Sequence, residues 1–377
     1  MKRLIVAIVV LTLLAGFAGC AQVGGKDVDS GKETPAAATD KPGGDTEATG
    51  RIGVSMPTKS GERWIKDGEN IKKGLEELGY EVDLQFAEDH VDVQVAQIEN
   101  MIMQGIDALI VAPIDGATLT DVCKKAKEQG AVIIAYDRLL INTEDVDYYA
   151  TFDSIAIGRL MGGYIVEKLG LKEGKGPFNV ELFAGSLDDN NTPLYFEGGL
   201  MELQPYIDNG MVIIKSGQTE LGQAATQNWD GQNAQARMDN ILSTHYSDGS
   251  KVDAVLSPYD GLSIGILSSL KAVGYGTADL PFPIITGQDA EVASVKSIIA
   301  GEQTHTVYVD TRALAKVAVD LAHQTLTTGK AEVNKPDAYD NGAKKVSAMA
   351  ISAYSVDISN YKEMLIDSGY ISEDELK

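Results

Sequence analysis

Polar and aromatic side chains follow several apolar runs of this sequence, and their chemistry suits a small hydroxylated ligand. Asp137 and Arg138 come directly after VIIAY at 132–136, a run with the composition of a strand buried on both faces. Comparable positions after other apolar runs hold Arg63, Trp64, Asp189, Asn191, Trp229, Tyr259 and Asp289. Carboxylate, amide and guanidinium groups bind neighbouring hydroxyls in pairs, and indole rings pack on the apolar faces of a sugar ring. The set therefore predicts a sugar site.

Each of these side chains also has a plainer structural interpretation. A single tryptophan commonly belongs to a core, and Asp137 with Arg138 can form an ion pair at a hinge or on the surface. Asp189, Asp260 and Asp289 precede helical patterns and can cap them. What favours a binding site is their joint placement after strands, because ligands of open α/β sheets bind outside the carboxyl ends of the strands.

The elements that must position these residues are strands alternating with helices. Strand-like runs are found at 51–57, 81–87, 108–113, 132–137, 148–153, 179–185, 211–217, 254–260, 283–289, 305–310 and 348–356. Helical patterns are found between them, at 62–78, 91–104, 119–129, 155–169, 195–204, 233–242, 262–273, 291–300 and 311–326. This repetition predicts an α/β fold of two Rossmann-like lobes with parallel, doubly wound sheets, and it places a ligand in the cleft between them.

Composition and motifs exclude several classes of function. The formal net charge of −23 is unsuited to nucleic acid or to an anionic membrane surface. The four histidines are widely separated, so we expect no metal site, and no nucleotide-binding glycine motif or nucleophile elbow predicts a cofactor or an enzyme. We expect a binding protein that needs no cofactor.

The N-terminus has the pattern of an export signal. Lys2 and Arg3 precede an apolar run at 4–14 and then small residues, whereas the run is short for a membrane-spanning helix. FAGC at 17–20 resembles the lipobox of bacterial lipoproteins, although Phe17 stands where leucine is usual. The resemblance implies a signal peptide at 1–20 and a lipid on Cys20. Residues 21–50 are polar and small, which predicts a flexible tether.

As a set, the segments GERW, AYDR, GSLDDNN, NWDG, SPYDGLSIG and GQDAE resemble the periplasmic sugar-binding proteins of ABC transporters. The branch they resemble contains the xylose-binding and multiple-monosaccharide-binding proteins. The resemblance implies a type I periplasmic-binding-protein fold with hinges near 152–158, 285–290 and 345–351. It assigns 51–155 and about 289–345 to the first lobe, and 156–288 and about 346–377 to the second.

The resemblance also implies a role for each candidate residue. Hydroxyl-binding groups are Arg63, Asp137, Arg138, Asp189, Asn191 and Asp289, and the aromatic surfaces that pack on the sugar are Trp64 and Trp229. Two positions depart from xylose-binding relatives, because Tyr259 replaces an asparagine and Val309 a lysine. Tyr259 within SPYD favours the multiple-monosaccharide branch.

The expected function is therefore that of an extracytoplasmic lipoprotein, held at the outer face of the cell membrane. It captures an aldopyranose such as xylose, glucose, galactose or arabinose and, as a monomer, delivers it to an ABC permease. One alternative is a sugar receptor for chemotaxis or for a histidine-kinase sensor. A second alternative, from another class, is a secreted carbohydrate-active enzyme. Transcriptional regulators share the fold but begin with a DNA-binding helix-turn-helix, whose place a signal peptide takes here.

Overall fold

Two α/β lobes are present in the part of the chain that the structure describes, residues 49–377 of a computed structural model. Its strands are β1 Arg51–Met56, β2 Glu81–Phe86, β3 Ala108–Val111, β4 Val132–Tyr136, β5 Tyr148–Phe152, β6 Phe178–Leu182, β7 Val212–Ile213, β8 Ala254–Leu256, β9 Ile284–Ile285, β10 His305–Val309, β11 Lys335–Asp340, β12 Lys345–Ile351 and β13 Ala353–Asp357. Its α-helices are α1 Glu62–Glu77, α2 Val91–Met103, α3 Thr120–Glu128, α4 Ser154–Leu169, α5 Asn191–Asp208, α6 Leu221–Ala224, α7 Gly231–His245, α8 Asp260–Ala272, α9 Val292–Ile299 and α10 Thr311–Thr328.

The first lobe is built on a seven-stranded sheet with the order β11-β12-β5-β4-β3-β1-β2. Pairing is parallel from β12 to β2, and β11 adds an antiparallel edge that the sequence did not predict. Both faces of the sheet are covered. Ile110 of β3 belongs to the core beneath α1 and α10, and its neighbour Leu109 to the core beneath α2 and α3. The alternation follows from the two-residue period of a strand.

The second lobe has a smaller parallel sheet with the order β7-β6-β8-β9. Helices α4 and α5 pack together on one face, and α7 and α8 pack together on the other. Gln288, just beyond β9, bridges Val307 of β10 in parallel, and β10 pairs antiparallel with β13. Parallel sheets of this kind bring the carboxyl ends of their strands to one edge, where the sequence places its polar residues.

The strand pairing corrects two predicted lobe boundaries. β10 belongs to the second lobe, because it pairs there with Gln288 and β13, so the predicted hinge at 285–290 is wrong. The chain returns to the first lobe after β10, since α10 packs on α1 and on strands β3 to β5. The strand predicted at 348–356 is two strands, β12 beside β5 in the first lobe and β13 beside β10 in the second, so the last crossing falls at Ser352.

Some predictions fall outside this part of the chain. The predicted signal peptide at 1–20, its Cys20 and most of the tether at 21–50 lie outside the described residues. Within residues 49–377, no helix is both long and apolar enough to cross a bilayer. The same residues contain no cluster of three or more histidine, cysteine, aspartate or glutamate side chains arranged to hold a metal ion.

Candidate functional site

A cavity of about 460 Å³ lies between the two lobes, at the carboxyl ends of their strands. Its size is within the range usual for small-ligand sites. The predicted residues that line it are Arg63, Trp64, Asp137, Arg138, Asp189, Trp229, Tyr259 and Asp289. The structure thus brings together eight of the nine predicted binding residues, from segments as distant as the first turn of α1 and the loop after β9.

Arg63 is the centre of a buried charge network. Its Nη2 atom is 2.6 Å from Oδ2 of Asp137 and 2.9 Å from Oδ2 of Asp67, and its Nη1 atom is 3.4 Å from Oδ1 of Asp289. Burial opposes the charge on Arg63, but the three carboxylates outweigh it and hold the pKa of the guanidinium well above its ordinary value. Asp289 comes from the second lobe, so this network joins the lobes at the base of the cavity.

Arg138 joins the lobes a second time. Its Nε atom is 2.9 Å from Oδ2 of Asp189, which stands in the loop before α5. The guanidinium groups of Arg138 and Arg63 also lie over the Trp64 ring, at 5.3 Å and 4.5 Å from its centroid. Trp64 therefore supports both arginines, in addition to forming part of the cavity wall.

Asn191 lies behind the cavity wall and connects the lobes rather than lining the cavity. Its Nδ2 atom donates to the backbone oxygen of Asp137 at 3.0 Å, and its Oδ1 atom accepts from the Ser154 hydroxyl at 3.0 Å. The neighbouring Asn190 accepts from the backbone N–H of Leu139 through Oδ1 at 2.7 Å. The backbone that carries Asp137 and Arg138 is thus fixed by asparagines of the other lobe.

The second lobe presents an aromatic wall. Trp229 ends a short 3₁₀ turn, and its ring meets Tyr195 at 6.3 Å and Tyr259 at 6.0 Å, edge to face in both cases. The Tyr259 hydroxyl donates to Oε1 of Glu291 at 2.8 Å. Tyr259 consequently offers its ring to the cavity and its hydroxyl to the protein. Val309 is fully buried at the end of β10 and contributes no polar group.

Two site aspartates have unusual backbone conformations. Asp137 has a φ of 62° and Asp289 a φ of 94°, values that cost energy for a residue with a side chain. Burial raises the pKa of both the Asp289 and Asp189 carboxyl groups, even though an arginine beside each opposes the shift. A buried carboxylate is stabilised by any ligand that donates hydrogen bonds to it, as a sugar hydroxyl does.

Sequence reasoning missed several lining residues. Asp89 follows β2 by three positions, so the rule that found Asp137 after β4 also applied to it. Gln288 and Tyr195 line the cavity as well, and the Gln288 Nε2 atom lies 3.3 Å from both the Tyr195 hydroxyl and Oδ1 of Asp289. Tyr195 lies inside the amphipathic pattern of α5, where no sequence signal separates a cavity residue from a core residue.

Glu291, which accepts a hydrogen bond from the site residue Tyr259, has a raised pKa. Burial raises the pKa of Glu291 to about 7, and repulsion from Asp289 adds to the effect. Since the carboxyl group of the unfolded chain has lost its proton well below pH 7, the folded state binds the extra proton between about pH 5 and 7. The contribution of Glu291 to stability is therefore present at low pH and is lost as the pH rises through 7.

We expect Glu291→Gln to remove this part of the pH dependence. Between pH 5.5 and 8 the wild-type free energy of unfolding should fall relative to that of the variant, by up to about 2 kcal/mol. Urea denaturation at both pH values measures the difference, with Glu363→Gln, an exposed glutamate of the second lobe, as the control. Parallel pH profiles for wild type and Glu291→Gln would show that Glu291 does not titrate in this range.

The comparison with known proteins agrees with this geometry. Residues 52–331 match the family model of the periplasmic binding protein domain. The chain is 53% identical over 343 residues to the multiple sugar-binding periplasmic protein SbpA of Azospirillum brasilense, covering 91% of this chain and 93% of that protein. It is 34% identical over 327 residues to the D-xylose-binding periplasmic protein of Escherichia coli, covering 86% and 92%.

A solved structure gives the same result for the fold. An ABC transporter solute-binding protein from Clostridium phytofermentans, crystallised with bound β-D-glucose, is 44% identical, with a TM-score of 0.83 over 87% of this chain and all of that one. The chain therefore belongs to the periplasmic binding protein family. The resemblance drawn from its sequence segments and the predicted fold class are both confirmed.

Proposed function

We propose that this protein is an extracytoplasmic solute-binding protein that captures a monosaccharide between its lobes and delivers it to an ABC importer. The observation that carries the proposal is the composition of the interlobe cavity. Carboxylates from both lobes meet two arginines of the first lobe there, beside two indole rings. These groups match the two kinds of surface that an aldopyranose offers, hydroxyls at its rim and C–H groups on its faces.

The same groups explain how binding would favour the closed form. Arg63 and Asp137 belong to the first lobe, whereas Asp189, Trp229 and Asp289 belong to the second. A sugar held by both sets adds contacts that exist only when the lobes are together. A ligand shifts such an equilibrium by its differential affinity for the two forms, so closure follows from contacts on both sides.

The preferred ligand is a neutral aldopyranose, and D-glucose and D-xylose are the first to test. Relatives named for multiple sugars and for D-xylose, and a neighbour crystallised with β-D-glucose, support this choice. Tyr259 agrees with a broad preference, because its hydroxyl is bound to Glu291 and reads no particular sugar hydroxyl.

Delivery to an importer is tested by sugar uptake in a deletion strain. We expect uptake of labelled D-glucose or D-xylose at low concentration to fall on deletion and to return with the wild-type gene. A protein that serves only chemotaxis or a sensor kinase would leave uptake unchanged and abolish the sugar response, which would overturn the transport role.

The anchor proposed at Cys20 rests on the FAGC segment and the apolar run before it. We expect Cys20→Ser to move the protein from the membrane fraction to the soluble extracytoplasmic fraction and to abolish labelling by fatty acid. Sugar affinity should be unchanged, since the cavity is built entirely from residues 58–289. Equal membrane retention of the variant would contradict lipid anchoring.

Gel filtration coupled to light scattering tests the expected monomer.

A further inference from the structure

Gly185 lies against the indole ring of Trp229. A β-carbon built on Gly185 would overlap with Cη2, Cζ2 and Cζ3 of that ring, the three outermost atoms of its six-membered part. The indole therefore rests on the bare backbone of the segment after β6. No side chain, even that of alanine, fits at this position while the ring stays where it is.

Space, and not backbone conformation, is what requires glycine here. The φ angle of Gly185 is outside the left-handed range, in contrast to glycines such as Gly217 at 69° and Gly210 at 77°. A side chain at this position would therefore not meet the penalty of a left-handed backbone. The identity of this residue is thus set by the ring that covers it.

The loop that carries Trp229 is fastened to the same segment. The backbone N–H of Thr226 donates to the Gly185 oxygen at 3.0 Å, and the backbone N–H of Asn228 donates to the Ser186 hydroxyl at 2.9 Å. Asn228 and Trp229 then have φ angles of 57° and 53°, which turn the chain sharply. These bonds fix the loop relative to Gly185 and leave the ring little freedom to retreat from an added methyl group.

Neighbouring side chains restrict movement of the Trp229 ring in other directions. Tyr195 and Tyr259 meet the indole edge to face on two sides, and both tyrosines are themselves held by hydrogen bonds, to Gln288 and Glu291. A ring displaced by a β-carbon would move toward the cavity, because Gly185 supports it from behind. The space for a sugar would narrow in consequence.

We propose that Gly185 is a positioning residue for ligand binding, which sets the depth of the Trp229 ring in the cleft. This inference rests on the proposed sugar-binding function. In it, Trp229 is the surface that packs on the sugar, and Gly185 acts only through Trp229. Because the ring is already fixed in the free protein, ligand binding does not lose the entropy of immobilising it.

Calorimetry with D-glucose and a double-mutant cycle test the proposal. Gly185→Ala should weaken binding at least about 10-fold. In a Trp229→Phe background the phenyl ring lacks the outer atoms of the indole, so Gly185→Ala should weaken D-glucose binding less than about 3-fold. Gly163→Ala, at a helix position with open space around it, is the control and should bind as wild type. Unchanged affinity of Gly185→Ala, or an equal loss in both backgrounds, would overturn the proposal.

Fluorescence separates a failure of this proposal from a failure of the sugar assignment. The chain has two tryptophans, so Trp64→Phe leaves Trp229 as the single reporter. Adding Gly185→Ala to that variant should shift the Trp229 emission maximum without any ligand present. An unshifted spectrum would overturn the positioning role, whereas a shifted spectrum in a protein that binds no sugar would contradict the proposed function alone. If Gly185→Ala fails to fold, recovery of the fold in Gly185→Ala/Trp229→Phe supports the contact, and its absence contradicts it.

Discussion

Asp289→Ala is expected to abolish monosaccharide binding, with a loss of at least about 100-fold in affinity, or about 3 kcal/mol. Hydrogen bonds to a charged group contribute about 1.5–3 kcal/mol each, and this carboxylate can accept two. Asp289 is buried at the point where the lobes meet, and Arg63 of the first lobe faces it at 3.4 Å. The substitution therefore removes a carboxylate that would accept hydrogen bonds from the ligand and that also pairs with Arg63 of the other lobe.

The fold should survive this substitution. Burial raises the pKa of the Asp289 carboxyl, so the folded state bears a cost for keeping it charged, and alanine relieves that cost. Arg63 keeps Asp67 and Asp137 as partners. Calorimetry gives the affinity and thermal denaturation the stability, with exposed Asp279→Ala as the control. Wild-type affinity in Asp289→Ala would exclude Asp289 from the site.

Trp229→Ala should weaken every accepted sugar by a similar factor, about 30-fold, or about 2 kcal/mol. An indole face packs on the C–H groups that aldopyranoses have in common and makes no contact that identifies one hydroxyl. Trp229→Phe keeps an aromatic face and should retain most of the affinity. Calorimetry with D-glucose, D-xylose and D-galactose compares both variants with the wild-type protein.

The pattern of loss decides the role of Trp229. If one sugar loses affinity while the others keep it, the ring reads a specific feature and does not act as a common surface. If all affinities stay unchanged, Trp229 is a wall residue without contact to the ligand. Its partial exposure in the cavity and its contacts with Tyr195 and Tyr259 favour the common surface.

Eight of the nine candidate residues line one cavity because the rule that selected them is topological. Asp137, Asp189 and Asp289 all follow strands, and parallel pairing brings the ends of such strands to one edge whatever the details of packing. Fully buried strands such as β3 are continuous apolar runs, which makes them easy to find. Position after a strand was therefore enough to find eight of the lining residues.

The errors concern long-range pairing. Residues 283–310 contain two short strands and one helix, and their composition does not tell which sheet they join. The single parallel bridge from Gln288 to Val307 decides it, and it joins residues 19 positions apart. The predicted strand at 348–356 has one apolar pattern, yet its two halves pair with β5 and β10 in different lobes. A local pattern carries no information on such partners.

Asn191 illustrates the difference between proximity to the cavity and contact with it. Its place at the start of α5 predicts that it lies near the ligand. The structure places it near the cavity, but its side-chain amide donates a hydrogen bond to the backbone oxygen of Asp137. Tyr259 does line the cavity with its ring, but its hydroxyl is bound to Glu291. Side-chain direction depends on neighbours contributed by other segments, so a sequence position predicts proximity better than contact.

We propose that the interlobe cavity binds one monosaccharide. Calorimetric titration of the wild-type protein with D-glucose and D-xylose tests it most directly, with Asp289→Ala titrated in parallel. We expect one site per chain, a dissociation constant in the micromolar range or below (about −8 kcal/mol or stronger), and no detectable heat of binding in the variant. A folded wild-type protein that binds neither these sugars nor any other aldopyranose would contradict it.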